Sequence, residues 1–344
     1  MTPSQRDTHE AIVDALAMRL GVAPARPHPK AQEYVDQPLS GLAMLHGAVA
    51  QAQRGDTRPH PDMAVLGYGI GTSDFKNALG TGASRLAALR YEASADHLQI
   101  CANLEVVDFK MIEFPGADVG LDLSLKTGEG GEARAAQVVQ VAGQIAKLES
   151  YDRIIGVSRN TIINDDVGLL ANVFAAIGTA AATNEAKMVS DLMEANQTLA
   201  DGQAMFIAAN IVAQTLSATS LDVAMKALRL QTTAAGNLAN LKAAVLVVAA
   251  GLELSAKTLL KSAGMDDVKV ICLPWLADGR WYLFADPKVA PVIGRLILRG
   301  TKDPIYVSPL GTKIRFEFDG VLTRANAYLG VVALNRVGVV RGGV

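Results

Sequence analysis

Histidine is scarce in this sequence of 344 residues, and its distribution limits the kinds of site that the chain can carry. The five histidines are His9, His28, His46, His60 and His97, so none lies beyond residue 97. This argues against a Ser-His-Asp or Cys-His catalyst, and against a histidine-rich metal site, on the main body of the chain. We interpret the histidines as solvated residues or residues of an arm.

Cysteine is limited to Cys101 and Cys272, and no CxxC motif is present. The two cysteines argue against a disulfide framework and against a cysteine-based zinc site, and we interpret both as small buried hydrophobic residues. Aromatic residues make up only 5% of a chain that is 50% hydrophobic, which predicts a core of Ala, Val, Leu and Ile. These numbers fix no catalytic or metal site.

Charge is also low, with 19% charged residues and a net charge of −2. Two interpretations stay open: a surface hidden in subunit contacts, or a monomer with an Ala-rich core. The near-balance of acidic and basic residues argues against a dedicated nucleic-acid-binding protein.

The sequence shows no targeting or membrane segment. The first residues lack the basic and apolar pattern of a signal peptide. The most apolar window, Leu241–Leu254, is short and contains Lys242 and Glu253. We expect a soluble protein made in a cytoplasm, without a membrane segment.

A glycine pattern near residue 70 is the nearest approach to a cofactor motif. Gly67, Gly69 and Gly71 follow the strand-like segment MAVL, but Thr72 stands where the dinucleotide-binding fingerprint needs its third glycine. We interpret the three glycines as part of a flexible arm. A dinucleotide-dependent oxidoreductase that uses them is a weaker alternative.

The most informative stretch is a strand that leads directly into a long helix. An apolar β-type run from Ile154 to Ile163 is followed by Asn164-Asp165-Asp166 and then by about 28 residues without proline. A helix of this length spans roughly 40 Å. The two carboxylates do not face each other as an acid/base pair, and we predict that Asn164-Asp165-Asp166 caps the helix start.

A long two-stranded ribbon is predicted before this helix. Its strands fall within Glu105–Phe114 and Val139–Leu148, with a tip at Gly128-Glu129-Gly130-Gly131 that lies close to Lys126. Because an isolated two-stranded ribbon is marginally stable in water, this one must rest on its own domain or on a neighbouring subunit.

The other predicted elements mix helices and strands without strict alternation, which is typical of the α+β class. The segment before residue 65 has little core of its own and is predicted to be an appendage. Helices are predicted at Asp7–Leu20, Leu39–Gln53, Ser84–Ala95, Thr215–Thr232 and Leu252–Ser262. Strands are predicted at Ala243–Val248, Val268–Leu273, Trp281–Phe284, Ile314–Phe318 and Tyr328–Leu334.

Ser158–Met193 resembles a segment of the major capsid proteins of tailed phages in the Mu-like head-subunit (gpT-like) group, which includes fusions to a prohead protease. The strand-to-helix signature of that group is matched by Ile162, Ile163, Asn164, Asp165 and Asp166. Further segments similar to the group are Gly71–Ala93, Asp201–Phe206, Leu246–Leu260 and Trp281–Pro287. Their order agrees with the group over about residues 65–344, and the first 60 residues resemble the connector of the fused forms.

The resemblance implies a Hong Kong 97-type capsid fold. It divides the chain into an N-terminal helical appendage (1–64), an N-terminal arm (65–108), an extended loop (109–160), a peripheral domain with a spine helix (161–198), an axial domain (199–304) and C-terminal strands that return to the peripheral domain (305–344). The extended loop, with Lys126 and Gly128 to Gly131 near its tip, would lie over a neighbouring subunit.

The implied function is that of a major capsid protein of a tailed bacteriophage or prophage. Copies of the chain would form hexamers and pentamers of an icosahedral shell around double-stranded DNA, without sequence-specific binding. Implied partners are a portal, a scaffold or maturation protease and a decoration protein, and the implied location is the virion after assembly in the host bacterial cytoplasm. We expect no enzymatic activity, cofactor or metal. An encapsulin-like cellular compartment is the alternative shell.

Overall fold

A computed structural model of the chain describes residues 3–22, 24, 26–45, 73–114, 143–165, 167–233, 236–301, 303–310 and 320–343. The chain forms two compact units. Unit 1 combines residues 1–94, 150–183 and 302–328, and unit 2 combines residues 95–149, 184–301 and 329–344. Helices and strands occur in both units, which confirms the predicted α+β class.

Unit 1 is built from helices and one three-stranded sheet. Its helices are α1 (Pro3–Arg19), α2 (Ala31–Val35), α3 (Ser73–Ser94), α4 (Arg159–Ile163) and the part of α5 (Val167–Glu194) up to residue 183, with residues 39–45 also helical. Its strands are β4 (Glu149–Ser158), β10 (Ile305–Pro309) and β11 (Gly320–Leu329), in the order β10-β11-β4. Strands β10 and β11 are antiparallel.

Helix α3 lies at the centre of unit 1. The side chain of Leu20 in α1 approaches Gly82, where an added Cβ would lie 3.1 Å from the Leu20 methyl carbon. On β10, the Val307 N–H donates to Ser84 Oγ at 2.9 Å. The region predicted as a flexible arm therefore contains a 22-residue helix that runs from Ser73, well before the predicted start at Ser84.

Helix α1 has the predicted apolar face and the predicted stop. Ile12, Leu16 and Leu20 are buried at helical spacing, and the helix ends at Gly21, whose φ is +85°. The first segment shares its core with the rest of unit 1. Leu39 and Leu42, like Leu16 of α1, belong to the same buried cluster as Phe75 of α3 and Phe174 of α5.

Unit 2 contains three sheets and two further helices, α6 (Ala218–Leu230) and α7 (Glu253–Ser262). A five-stranded sheet has the order β5-β13-β8-β6-β7, a three-stranded sheet has the order β1-β9-β12, and β2 and β3 form a two-stranded sheet. The strands are β1 (Cys101–Val106), β2 (Ile112–Phe114), β3 (Gln144–Ala146), β5 (Ile211–Val212), β6 (Ala243–Val248), β7 (Lys269–Cys272), β8 (Trp281–Ala285), β9 (Ile293–Leu298), β12 (Val331–Ala333) and β13 (Val339–Gly342).

The five-stranded sheet is the core of unit 2, and every residue of β8 is buried. Strand β13 pairs with β5 on one side and with β8 on the other. Strand β13 lies in unit 2. The predicted return of the C-terminal strands to a peripheral domain stays a prediction. The predicted strand Tyr328–Leu334 is interrupted at Gly330, where an added Cβ would lie 2.9 Å from the Lys147 carbonyl oxygen.

The predicted ribbon is confirmed at its base, where β2 and β3 are antiparallel with Ile112 opposite Ala146. The strands are shorter than predicted, and β4, which follows β3, belongs to a different sheet. The predicted strand Ile314–Phe318, Lys126, the tip residues Gly128, Glu129, Gly130 and Gly131, the arm residues Gly67, Gly69 and Gly71, and Asp166 lie outside the described residues. The predicted domain boundaries stay predictions.

Candidate functional site

The strand-to-helix elbow, residues 158–165, differs in detail from its prediction. Strand β4 ends at Ser158, and the β-type run predicted to Ile163 is wrong beyond that point. The Ser158 hydroxyl accepts a hydrogen bond from the Thr161 N–H at 3.2 Å, which caps α4 in the manner typical of serine. The helix then buries Ile162 completely. A short capped helix thus replaces the last residues of the predicted strand.

Asn164 and Asp165 make hydrogen bonds in addition to the predicted cap of the long helix. That cap stays a prediction, because Asp166 lies outside the described residues. Asn164 ends α4, and its N–H donates to the Asn160 carbonyl at 2.8 Å. Asp165 has a left-handed backbone with φ of +54°, a conformation that Asp and Asn tolerate better than other non-glycine residues. Its carbonyl oxygen accepts from the Val167 N–H at 2.8 Å, so a backbone hydrogen bond links the elbow to the first residue of α5.

The carboxylate of Asp165 binds the N-terminal segment. Oδ2 accepts a hydrogen bond from Arg19 Nη2 at 2.6 Å, and Oδ1 accepts one from the Leu39 N–H at 2.7 Å. The other terminal nitrogen of Arg19 donates to the Gln37 carbonyl at 2.5 Å. The side chains of Arg19 and Asp165 are 15% and 30% exposed, so this ion pair is partly shielded from water.

A second cluster, Glu185 with His97 and Arg295, is buried in unit 2. Glu185 Oε2 lies 3.0 Å from His97 Nε2, and Glu185 Oε1 accepts a hydrogen bond from Arg295 Nε at 2.9 Å. The His97 side chain is 1% exposed, so its interpretation as a solvated or arm residue is wrong. Cys101, at the start of β1, is buried as predicted, and burial, aided by the Glu185 charge, raises the pKa of its thiol.

Sequence reasoning missed this cluster because its members are far apart in the chain. Residues 97, 185 and 295 come from the segment before β1, from α5 and from β9. One signal was available, since Glu185 interrupts the apolar face of a helix on which Ala182 and Val189 are also buried. A carboxylate at such a position needs a buried cation, and Arg295 supplies it.

The geometry of both clusters is structural in character. Each carboxylate is neutralised by an arginine and hydrogen-bonded. Among the described residues, no group of three or more His, Cys, Asp and Glu side chains is arranged to hold a metal ion. The residues at the elbow position a strand, a short helix and a long helix relative to one another within unit 1.

The long helix α5 presents much of its apolar surface to solvent. In the described part of the chain it is the one helix whose length and composition would allow it to cross a membrane, and only 28% of its most apolar window is buried. A single such helix is weak support for a membrane span, since a core helix passes the same test. Its second half contains the buried Glu185 and an exposed pair between Lys187 and Asp191.

A family model described as phage capsid protein matches residues 142–342, which is more than half of the chain. The chain therefore belongs to the phage capsid protein family. The match includes the elbow, α5 and strands β3 to β13, and it confirms the predicted capsid protein function. The Mu-like subgroup is a finer assignment than this match provides. No curated protein matches the chain.

Solved structures with a similar fold include shells from phages and cells. A virus-like particle from Pyrococcus furiosus has 13% identity and a TM-score of 0.45, covering 75% of this chain and 96% of that one. Microbacterium phage Oxtober96 has 12% identity and a TM-score of 0.49, covering 73% and 91%. The SrpI encapsulin complex from Synechococcus elongatus PCC 7942 has 8% identity and a TM-score of 0.43, covering 72% and 86%. Our assignment is based on the family match and not on these likenesses.

Proposed function

We propose that this chain is the major capsid protein of a tailed bacteriophage or prophage of the Mu-like group. Its copies form hexamers and pentamers of an icosahedral shell that encloses double-stranded DNA. The single observation that carries this proposal is the family match over residues 142–342. The role is structural, and neither the three arm glycines nor the two charge clusters are assigned a reaction.

The uncovered surface of α5 supports self-association. Leu169 is 49% exposed on this helix, and Ile163 is exposed immediately before it. Large apolar side chains left in water at a helix surface indicate a contact with another molecule. We expect a neighbouring copy to cover this side of α5, as the resemblance implies for a spine helix.

The described base of the ribbon supplies an apolar surface that fits this role. Val107 and Met111, between β1 and β2, and Ile145 in β3 are exposed. Contact between the ribbon of one copy and α5 of the next uses two different patches of the same chain. Such a heterologous contact generates closed rings when the rotation between copies closes, which suits hexamers and pentamers.

The remaining parts of the proposal follow from the resemblance. Residues 109–160 would be the extended loop, 161–198 the peripheral domain and 199–304 the axial domain around the centre of each capsomer. Partners would be a portal, a scaffold or maturation protease, and a decoration protein. The shell would assemble in the host bacterial cytoplasm and persist in the virion. The net charge of −2 suits a shell that confines DNA without binding it tightly.

The test is to measure the mass of the purified protein in solution and to image the same sample by electron microscopy. Capsomers of several hundred kilodaltons, or closed shells, are expected. A stable monomer or dimer that binds a nicotinamide dinucleotide would overturn the proposal in favour of the oxidoreductase. Shells purified from the natural source should contain double-stranded DNA, and a protein cargo in place of DNA would identify an encapsulin-like compartment.

A further inference from the structure

The N-terminal segment has a specific attachment point on the capsid fold. We propose that α1, α2 and helical residues 39–45, which we call the N-terminal clamp, restrain the strand-to-helix elbow of the same chain through Asp165. The family match begins at residue 142 and includes the elbow but not the clamp. The inference assigns a role to a segment that the proposed function leaves without one.

Both carboxylate oxygens of Asp165 are engaged by the clamp. One accepts from the Arg19 side chain at the end of α1, and the other accepts from the Leu39 N–H at the start of the last helical turns. Arg19 also donates to the Gln37 carbonyl, so one guanidinium joins both parts of the clamp to the elbow. Because the Arg19 guanidinium donates to two acceptors, it fixes the direction as well as the distance of its contact with Asp165.

The clamp is anchored a second time, away from the elbow. Asp14 of α1 accepts a hydrogen bond from Arg85 of α3 at 2.9 Å and another from the His28 N–H at 2.8 Å. The apolar face of α1 packs beside this ion pair, with Leu16 and Leu20 buried. Because α1 is held on α3, the position of Arg19 is set independently of Asp165, and Arg19 acts as a fixed point for the elbow.

Asp165 is the residue of the elbow whose backbone most needs a restraint, because it occupies a left-handed conformation that non-glycine residues rarely adopt. Within the described residues, its turn is joined by backbone hydrogen bonds from the Asp165 N–H to Ile162 O at 3.3 Å and from the Val167 N–H to Asp165 O. A carboxylate held on both oxygens prevents rotation of this residue out of the turn. The clamp thereby fixes how α4 leads into α5.

The experiment measures amide hydrogen exchange in the unassembled full-length subunit. Arg19→Ala should increase exchange at the amides of Thr161, Asn164 and Val167 by about tenfold, the factor expected for losing a charge-assisted hydrogen bond. Amides of β8 in unit 2 serve as the internal reference and should not change. Lys30→Ala is the control, since it removes an exposed ion pair with Asp7 of α1 and leaves the contacts of Arg19, Asp14 and Asp165 in place.

Two substitutions at the other partner separate the contact from the backbone conformation. Asp165→Asn tolerates the left-handed turn and retains an acceptor for the Leu39 N–H, but loses the ion pair, so elbow exchange should rise less than in Asp165→Gly. Unchanged elbow exchange in both Arg19→Ala and Asp165→Asn overturns the proposal, as does an equal increase in Lys30→Ala. The measurement does not depend on shell formation, so its failure leaves the proposed function intact.

Discussion

Gly178 of α5 lies against the backbone carbonyl of Ala87 in α3, at a point where the two helices have no room for a side chain. A Cβ added at residue 178 would lie well under 3.0 Å from the Ala87 oxygen and 3.0 Å from the Cβ of Arg90. Real Cβ atoms essentially never show such contacts with backbone. The close approach of α3 and α5 in unit 1 therefore depends on a glycine at position 178.

Gly178→Ala should destabilise unit 1 by about 1–3 kcal/mol, because α3 and α5 must separate to admit one methyl group. The control is Gly168→Ala in the same helix, where nothing lies within 4 Å of the added Cβ. That variant should be neutral or slightly stabilising. Denaturant unfolding followed by circular dichroism measures both, and equal stabilities for the two variants would contradict the close helix crossing.

Glu185→Gln should destabilise unit 2 strongly. The substitution removes the negative charge beside the buried guanidinium of Arg295, and breaking a buried ion pair costs about 3–5 kcal/mol. Both tryptophans, Trp275 and Trp281, belong to unit 2, so tryptophan fluorescence follows its unfolding.

The control for this variant is Asp191→Asn, which removes the exposed partner of Lys187 from the same helix. It should leave the unfolding midpoint of unit 2 almost unchanged, as is usual for exposed pairs. A midpoint for Glu185→Gln within error of this control would show that the buried charge cluster does not stabilise the unit.

Alkaline solution should destabilise unit 2. Burial raises the pKa of the Cys101 thiol and of the Tyr282 hydroxyl, and the Glu194 carboxylate that accepts from Tyr282 raises the latter further. Unfolded Cys and Tyr lose their protons near pH 8.5 and 10, whereas the folded groups keep them. The stabilisation is complete below these values and decreases as the pH rises above them, by about 1.4 kcal/mol per pH unit for each group.

Urea unfolding at several pH values between 7 and 11, followed by tryptophan fluorescence, measures this effect. Tyr282→Phe should flatten the decrease above about pH 10, and Tyr306→Phe, at an exposed tyrosine of unit 1, is the control for removal of a phenol. A Tyr282→Phe profile that matches the unsubstituted protein would contradict the assignment to Tyr282.

Leu169→Gln should reduce shell formation without lowering the stability of the isolated subunit. Leu169 is 49% exposed on α5, so its apolar surface is available to a neighbouring copy and contributes little within the subunit. Leu89→Gln is the matched control, since Leu89 is 48% exposed on α3. Particle yield by sedimentation should fall for Leu169→Gln alone. Equal yields for the two variants would show that this part of α5 is not covered during assembly.

Patterns of short period predicted part of the regular structure from the sequence. The helix α5, the strand β6 with its observed bounds, and the apolar face of α1 follow from hydrophobic spacing and the absence of proline. The elbow was misjudged because Ile162 and Ile163 continue a β-type composition, while the single hydroxyl of Ser158 changes the backbone to a helix. Local composition cannot show which of two compatible conformations a capping hydrogen bond selects.

Contacts between distant residues account for the rest of the differences. Arg19 and Asp165 are 146 positions apart, and His97 and Glu185 are 88 apart. Each of these residues, taken alone, is typical of a solvated surface. Their pairing is a property of the tertiary fold. Asp165, beside a helix start, was assigned to the nearest N–H groups, whereas its carboxylate also pairs with Arg19 of the first helix.

The position of β13 in the five-stranded sheet imposes an order on biosynthesis. Strand β8 emerges from the ribosome well before β13, with β9 to β12 in between, yet β13 is its neighbour in the sheet. Until residues 339–342 are made, β8 has an open edge and β5 has no partner among the described strands. A chain that stops before residue 339 therefore leaves the five-stranded sheet of unit 2 without β13.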